Sequence, residues 1–171
     1  MAVENKYVDS NLASGKITNP AFTHGAQVFA AVAIAAVAAA DDNGSVYRLF
    51  KNVDPDLIPL QIIITNSAIT AGTDYDLGLY ETLTDGQGGT VIDKDCFVDG
   101  ADLSSAHAEG SGISGLTATA TIALTDAQKK IYEIAGHTLT TRKRGYDIAL
   151  TGNTVGTAAG TVVVKALFIQ G

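Results

Sequence analysis

Apolar side chains recur at every second position in several short stretches of this chain, and clusters of Gly, Asn and Asp separate those stretches. A period of two is the signature of strands, whose side chains point alternately to opposite faces. The clearest case is 160–171, where the β-branched run Val162, Val163 and Val164 suits a pleated, buried surface and is poor in a helix. This segment is expected to be a core strand that carries the chain to its last residue without a tail. Over 73–81, Tyr75, Leu77 and Leu79 share one face, expected to be core, and Asp74, Asp76 and Gly78 share the other, expected to face solvent. The run Ile62, Ile63 and Ile64 within 57–65 reads as a central strand buried on both faces, with Pro59 tolerable near its start.

Residues 28–40 are ambiguous by period, since eight alanines favour a helix while Val28, Val32, Ile34 and Val37 suit either form. The adjoining residues favour a strand. Asp41-Asp42-Asn43-Gly44 has the chemistry of a type I′ hairpin turn, and 45–50 then alternates as a strand. Residues 85–89 read as a flexible loop tip, 91–98 as a shorter and weaker strand, and 100–115 as an irregular excursion with at most one helical turn. Residues 116–124 alternate as a strand, and Thr125-Asp126-Ala127-Gln128 resembles a capping box opening a helix that Gly136 closes. Strands at 146–150 and 161–169, separated by 152–156, read as a final hairpin. About eight strands and one short helix make an all-β protein, an antiparallel β-sandwich of jelly-roll-like kind.

Residues 1–26 lack any sustained period and contain the helix-breaking Asn19-Pro20. They are expected to form an extended N-terminal arm, with 27–171 as a single β-sandwich domain. The arm's sparse apolar residues, among them Tyr7, Leu12, Ile17 and Phe22, must then pack on the body or on another chain.

Composition agrees with strands and tight turns: 46% of residues are apolar, 17% are charged, 18 are glycine and none is Trp. A net charge of -7 argues against nucleic-acid binding, which needs a basic surface. The lone Cys96 excludes an intramolecular disulfide. No basic segment followed by an apolar one opens the sequence, so cytoplasmic synthesis without a signal peptide is expected. The apolar stretch at 28–40 is too short for the ~20 residues of a membrane helix, so no membrane span is expected.

No constellation of catalytic type emerges. Asp93, Asp95, Asp99 and Asp102 cluster, but their spacing departs from the calcium loop of an EF-hand, and they read as solvated acids flanking a strand. His24, His107 and His137 lie far apart without a paired ligand, and read as satisfied surface or loop histidines. Ser104, Ser105 and His107 lack a nucleophile elbow, and Gly86, Gly88 and Gly89 do not join a strand to a helix as a phosphate cradle does. No catalytic, cofactor or metal residue is therefore assigned. Arg142-Lys143-Arg144 is the one basic run, a solvated loop that could steer the chain toward an acidic partner surface. A carbohydrate-binding or adhesive β-sandwich, which would use aromatic platforms to hold sugars, is disfavoured by the lack of Trp and 6% aromatics.

In Gly25-Ala26-Gln27-Val28-Phe29, in Asp74-Tyr75-Asp76-Leu77-Gly78-Leu79-Tyr80, and in Tyr146-Asp147-Ile148-Ala149-Leu150 with 154–170, the chain resembles the small β-rich virion proteins of tailed bacteriophages that decorate or cement the head shell. The resemblance covers most residues beyond the arm. It implies a non-enzymatic protein on the capsid exterior, with the major capsid protein as partner, no cofactor, and a small homo-oligomer, a trimer being favoured. It also implies that arms or loops bridge neighbouring capsomers, which makes Tyr7, Leu12, Ile17, Phe22, Arg142, Lys143 and Arg144 the candidate contact residues.

Overall fold

The computed structural model describes residues 28–82, 89–108, 113–114, 126, 128–139 and 145–170. Among them are eight strands: β1 (Val28–Val37), β2 (Ser45–Val53), β3 (Leu57–Asn66), β4 (Asp74–Glu81), β5 (Val91–Ala101), β6 (Ile113–Ser114), β7 (Tyr146–Thr154) and β8 (Gly160–Gln170). One helix, α1 (Ile131–Ile134), precedes β7. The strands form two four-stranded antiparallel sheets, ordered β1-β8-β3-β6 and β2-β7-β4-β5. First pairs with last throughout: β1 with β8, β2 with β7, β3 with β6 and β4 with β5. The chain is thus one long ribbon turned between β4 and β5, and the β3–β8 and β4–β7 ladders seam that ribbon into two facing sheets. This is the all-β sandwich expected, in jelly-roll-like order.

β1 settles the ambiguous segment as a strand. Its ten residues pair with β8 without a shift in register, and Ala35 and Val37 enter the core. The helix propensity of the alanines yields here to a ladder that satisfies the backbone and buries one face. In β8, Val162, Val164, Ala166 and Phe168 are buried and alternate with half-buried neighbours. They meet Ile62 and Ile64 of β3, and across the sandwich Leu77, Leu79, Ile148 and Leu150, all essentially without exposure. Each large aliphatic or aromatic side chain so buried contributes about 1.5–3 kcal/mol.

Both hairpins expected from the sequence are overturned. β1 and β2 lie in different sheets, as do β7 and β8. Gly44 has the positive φ of 91°, but Asn43 does not share it, so the turn is not type I′. The turn keeps its own bond from the Ser45 N–H to Asp42 O at 3.1 Å, but it is also tied to β7 and the residue after it: the Gly44 N–H donates to Gly152 O at 2.7 Å and Asn43 Oδ1 accepts from the Val155 N–H at 3.0 Å. Gly152, Asn153 and Thr154, expected in a turn, extend β7, and the crossing to β8 occurs at Gly156, φ 93°.

Three further expectations change. β3 is an inner strand, but only alternate residues are fully buried and Ile63 is half-buried, so its outer face is incompletely covered. β6 arises inside the stretch expected to be irregular, adding a short strand to β3; the strand expected over 116–124 lies outside the described residues, as do 83–88 of the expected loop tip. The helix is shorter than expected and starts at Ile131, because the reciprocal N-terminal hydrogen bond comes from the Lys130 N–H to Glu133 Oε2 at 2.9 Å. Gly136 closes it with φ 62° as expected.

The outer face of β4 is the largest departure. Asp76 and Gly78, expected in solvent with Asp74, are buried like Tyr75, Leu77 and Leu79, and so is Tyr80; Asp74 is half-buried. β5 explains this. Rather than a short weak strand it is an eleven-residue strand with three shifts of register, and between Val98 and Asp93 it carries extra residues that fold across β4. The β5 backbone then lies directly on Gly78, while Lys94 Nζ reaches Asp76 at 3.1 Å and Asn153 at 2.8 Å. Nearby, the fully buried Asp147 is paired with Arg48 at 2.8 Å, and its other oxygen accepts from the Asn52 N–H at 3.0 Å and the Thr82 hydroxyl at 3.1 Å. Arg48 also donates to Glu81 O and Gly89 O and lies over the Tyr80 ring. A buried carboxylate is tolerated because its partners are all supplied by fixed groups.

A Cβ at Gly78 would stand 2.1 Å from Asp93 O, against backbone that cannot swing aside. Gly78→Ala is expected to destabilise the protein by about 3 kcal/mol or more, measured by chemical denaturation, with wild-type behaviour refuting the close crossing of β5.

Candidate interaction surface

The two sheets differ on their outer faces. That of β2-β7-β4-β5 is closed by Arg48, Asp147, Asp76 and Lys94. That of β1-β8-β3 is apolar and open. Directly opposed residues of antiparallel strands share a face, so the register sets Val28, Ile169 and Ile58 in one outward row. Val32, Lys165 and Ile63 make another, followed by Ile34, Val163 and Thr65. Lys165 is the one charge in these rows, and its stem can lie along the apolar surface. Val28, Val32 and Ile34 are 60%, 63% and 71% exposed, and Leu60, in the bulge of β3, is 44% exposed. A contiguous patch of this kind, on a protein where single exposed apolar residues would be ordinary, marks an interaction surface.

The sequence carried a signal for this face that periodicity alone did not expose. One face of each strand in a two-sheet sandwich normally meets water, so polar residues should alternate with apolar ones. Residues 28–40 contain no polar side chain at all, and Val163, Leu167 and Ile169 fill outward positions of β8.

A cleft of about 500 Å³ opens between the sheets at the end where β1 begins, lined by Phe29, Phe50, Leu57 and Phe168 among others. Phe29 is 40% exposed there. The cleft adjoins the apolar face at Val28, the point from which residues 1–27 depart.

The residues considered for chemistry are held in structural roles. His107 Nδ1 is 2.8 Å from Asn66 Oδ1, and the Asn66 amide donates to the carbonyls of Ser67, Leu103 and Ser105. Since the amide nitrogen faces those carbonyls, Nδ1 of His107 is the donor to Oδ1. The ring therefore braces the loop after β5 against β3 rather than turning to a serine. His137 packs edge-on against Tyr146, ring centres 5.7 Å apart. Cys96 is buried, which pushes its thiol well above the usual range.

The four aspartates do not act as a set. Asp102 Oδ1 accepts from the Ser104 N–H at 2.9 Å, while Asp93 Oδ1 accepts from the Asp95 N–H at 3.3 Å. Among the described residues no three His, Cys, Asp or Glu converge as metal ligands would. Asp93 is not simply solvated as expected: burial, then a hydrogen bond to the Asp95 carboxylate, push its carboxyl up to about 6. Tyr7, Leu12, Ile17, Phe22, His24 and the basic run Arg142, Lys143 and Arg144 lie outside the described residues.

No family model matches the chain, and no curated protein matches it. Among solved structures, a chain described as "Cyanophage Pam1 capsid asymmetric unit" is similar over 100% of both chains, with a TM-score of 0.48 at 16% identity. A likeness at that score assigns neither fold nor function to this chain.

Asp93 yields a pH test. Its carboxyl titrates near 3.8 in an unfolded chain and near 6 here, so the folded protein binds more protons between those values. The stability it lends is complete below about pH 4 and is lost as pH rises through about 6. Asp93→Asn, which keeps a neutral group in place, should flatten the fall in melting temperature across that window, and an unchanged slope would exclude the shared proton.

Proposed function

We propose that this chain is a non-enzymatic bacteriophage virion protein that binds the outside of the assembled head shell and stabilises it. The observation that carries the reading is the open apolar face of β1-β8-β3 on a rigid sandwich whose opposite face is sealed by polar networks. Such a molecule is built to adhere by one side and to meet solvent by the other. The sequence resemblance to head-decorating proteins supports the same reading.

The mechanism is mass action. A protein that binds the closed shell but not its free subunits stabilises the shell by the difference in binding free energy, and many copies multiply a small effect. Tyr7, Leu12, Ile17 and Phe22 are the proposed anchors of an arm that orders on neighbouring subunits, where buried apolar groups must offset the entropy of ordering. Arg142, Lys143 and Arg144 steer the approach of an otherwise acidic chain toward acidic capsid patches, which makes association salt-dependent.

Co-sedimentation with heads of the encoding phage tests this. The protein is expected in purified virions by mass spectrometry, to bind assembled heads and not free capsid subunits, and to raise the temperature at which heads rupture. Leu60→Glu, on the open face and away from β1, should weaken head binding at least tenfold, the loss of an anchor worth about 1.4 kcal/mol. Absence from virions, or equal binding to free subunits, would refute the proposal.

A further inference from the structure

A sheet edge exposes unpaired N–H and C=O groups, and proteins protect such edges with charges, bulges, prolines or brevity. Three of the four edges here are protected in that way. β2 carries Arg48 and Lys51 and two shifts of register. β5 carries Asp93, Lys94, Asp95 and Asp99 with three shifts, and β6 has two residues. β1 has none of these devices. It runs ten residues in unbroken register with β8, without charge, proline or glycine, and among the described residues its other edge has no strand partner.

We infer that β1 is a strand-addition site whose occupant is β1 of a second copy of this chain, paired antiparallel about a twofold axis. Two segments of the chain outside the described residues could offer a strand: the one expected over 116–124 follows β6 at the opposite edge of the sheet, and the one ahead of β1 is interrupted by Gly15, Pro20 and Gly25 within hairpin reach and carries Glu4, Lys6 and Asp9 further back. A second β1 has no such defect. It is uninterrupted, it lacks charge, and its outward residues are the same apolar set it would meet. A twofold perpendicular to the sheets sets even-numbered residues opposite even-numbered ones. Val32 then faces Val32 or Ile34 of the second copy, which is an apolar cross-strand pair in either register. The result is a continuous sheet of eight strands whose two apolar outer faces merge into one, while the faces themselves stay free. Net charge of -7 on each copy opposes the pairing, so added salt should strengthen it. An isologous pair has even symmetry, in place of the trimer favoured from the resemblance.

The pairing does not depend on what the open face binds, so it is tested on the purified full chain without capsid. Sedimentation equilibrium is expected to give twice the chain mass of 17.6 kDa. Val32→Lys and Ile34→Lys, at exposed positions, should each halve that mass with unchanged far-UV circular dichroism. Oxidation of the double variant Val32→Cys/Ile34→Cys should give a disulfide-linked dimer, since a cysteine meets a cysteine in either even register; wild type, with Cys96 buried, should not. The double variant Ile17→Asp/Phe22→Asp should keep the doubled mass. A monomer or trimer for wild type, a dimer indifferent to both lysine variants, no cross-link, or a mass halved by the Ile17 and Phe22 changes would each overturn the inference. Head binding lost in Leu60→Glu with the mass still doubled would separate the two proposals.

Discussion

β8 is held on both sides, by β1 over ten registered pairs and by β3 over nine, and the first sheet cannot exist without it. These partners are distant in sequence: Val28 meets Ile169, and Leu57 meets Gln170. The entropy of closing so long a loop is a cost that the ladder's hydrogen bonds and core contacts must offset. The same pairing aligns Val162, Val164, Ala166 and Phe168 with the core, so a slip of one residue in β8 would turn all four outward.

The two outer faces then solve different problems. On β2-β7-β4-β5 the bulged β5 folds over Gly78, and burial of Asp76 and Asp147 is compensated by Lys94, Arg48 and backbone donors. Removing one partner there would leave a charge uncompensated in a place water does not reach. On β1-β8-β3 no element among the described residues covers the outward residues, and beside Gln61, Thr65 and Lys165 most of the side chains that would normally be polar are Val, Ile, Leu and Ala. Among the described residues, one outer face is covered and its charges are paired, while the other leaves apolar side chains exposed.

That asymmetry organises the functional reading. An apolar face and an edge without a strand partner among the described residues meet at β1, beside the cleft at Phe29. The proposed adhesion through the face and the inferred pairing through the edge are separable, because each uses different atoms of β1. The titratable groups that could have suggested chemistry are spent on architecture: His107 on Asn66, Asp102 on the Ser104 backbone, Asp93 on Asp95.

Local pattern was enough to place β1, β2, β3, β4, β7 and β8 and to identify Tyr75, Leu77, Leu79 and Val162 as core, because a strand's two-residue period and its turn residues are written in consecutive positions. The same pattern could not say which strand lies beside which. Asn43-Gly44 looks like a hairpin turn, yet its polar groups bond to β7, and that competition is visible only when β7 is present. Burial of Asp76 and Tyr80 likewise required β5 to cross over, an event decided by three register shifts with no local signature. Among the described residues the two-residue β6 pairs only with β3, and the short helix is capped by Lys130 and Glu133, while Thr125 of the expected box lies outside those residues. The candidate surface divides the same way. Its apolar residues stand in plain sequence at 28–40 and 163–169, but only the tertiary pairing of β1, β8 and β3 brings them onto one face, which no element among the described residues covers.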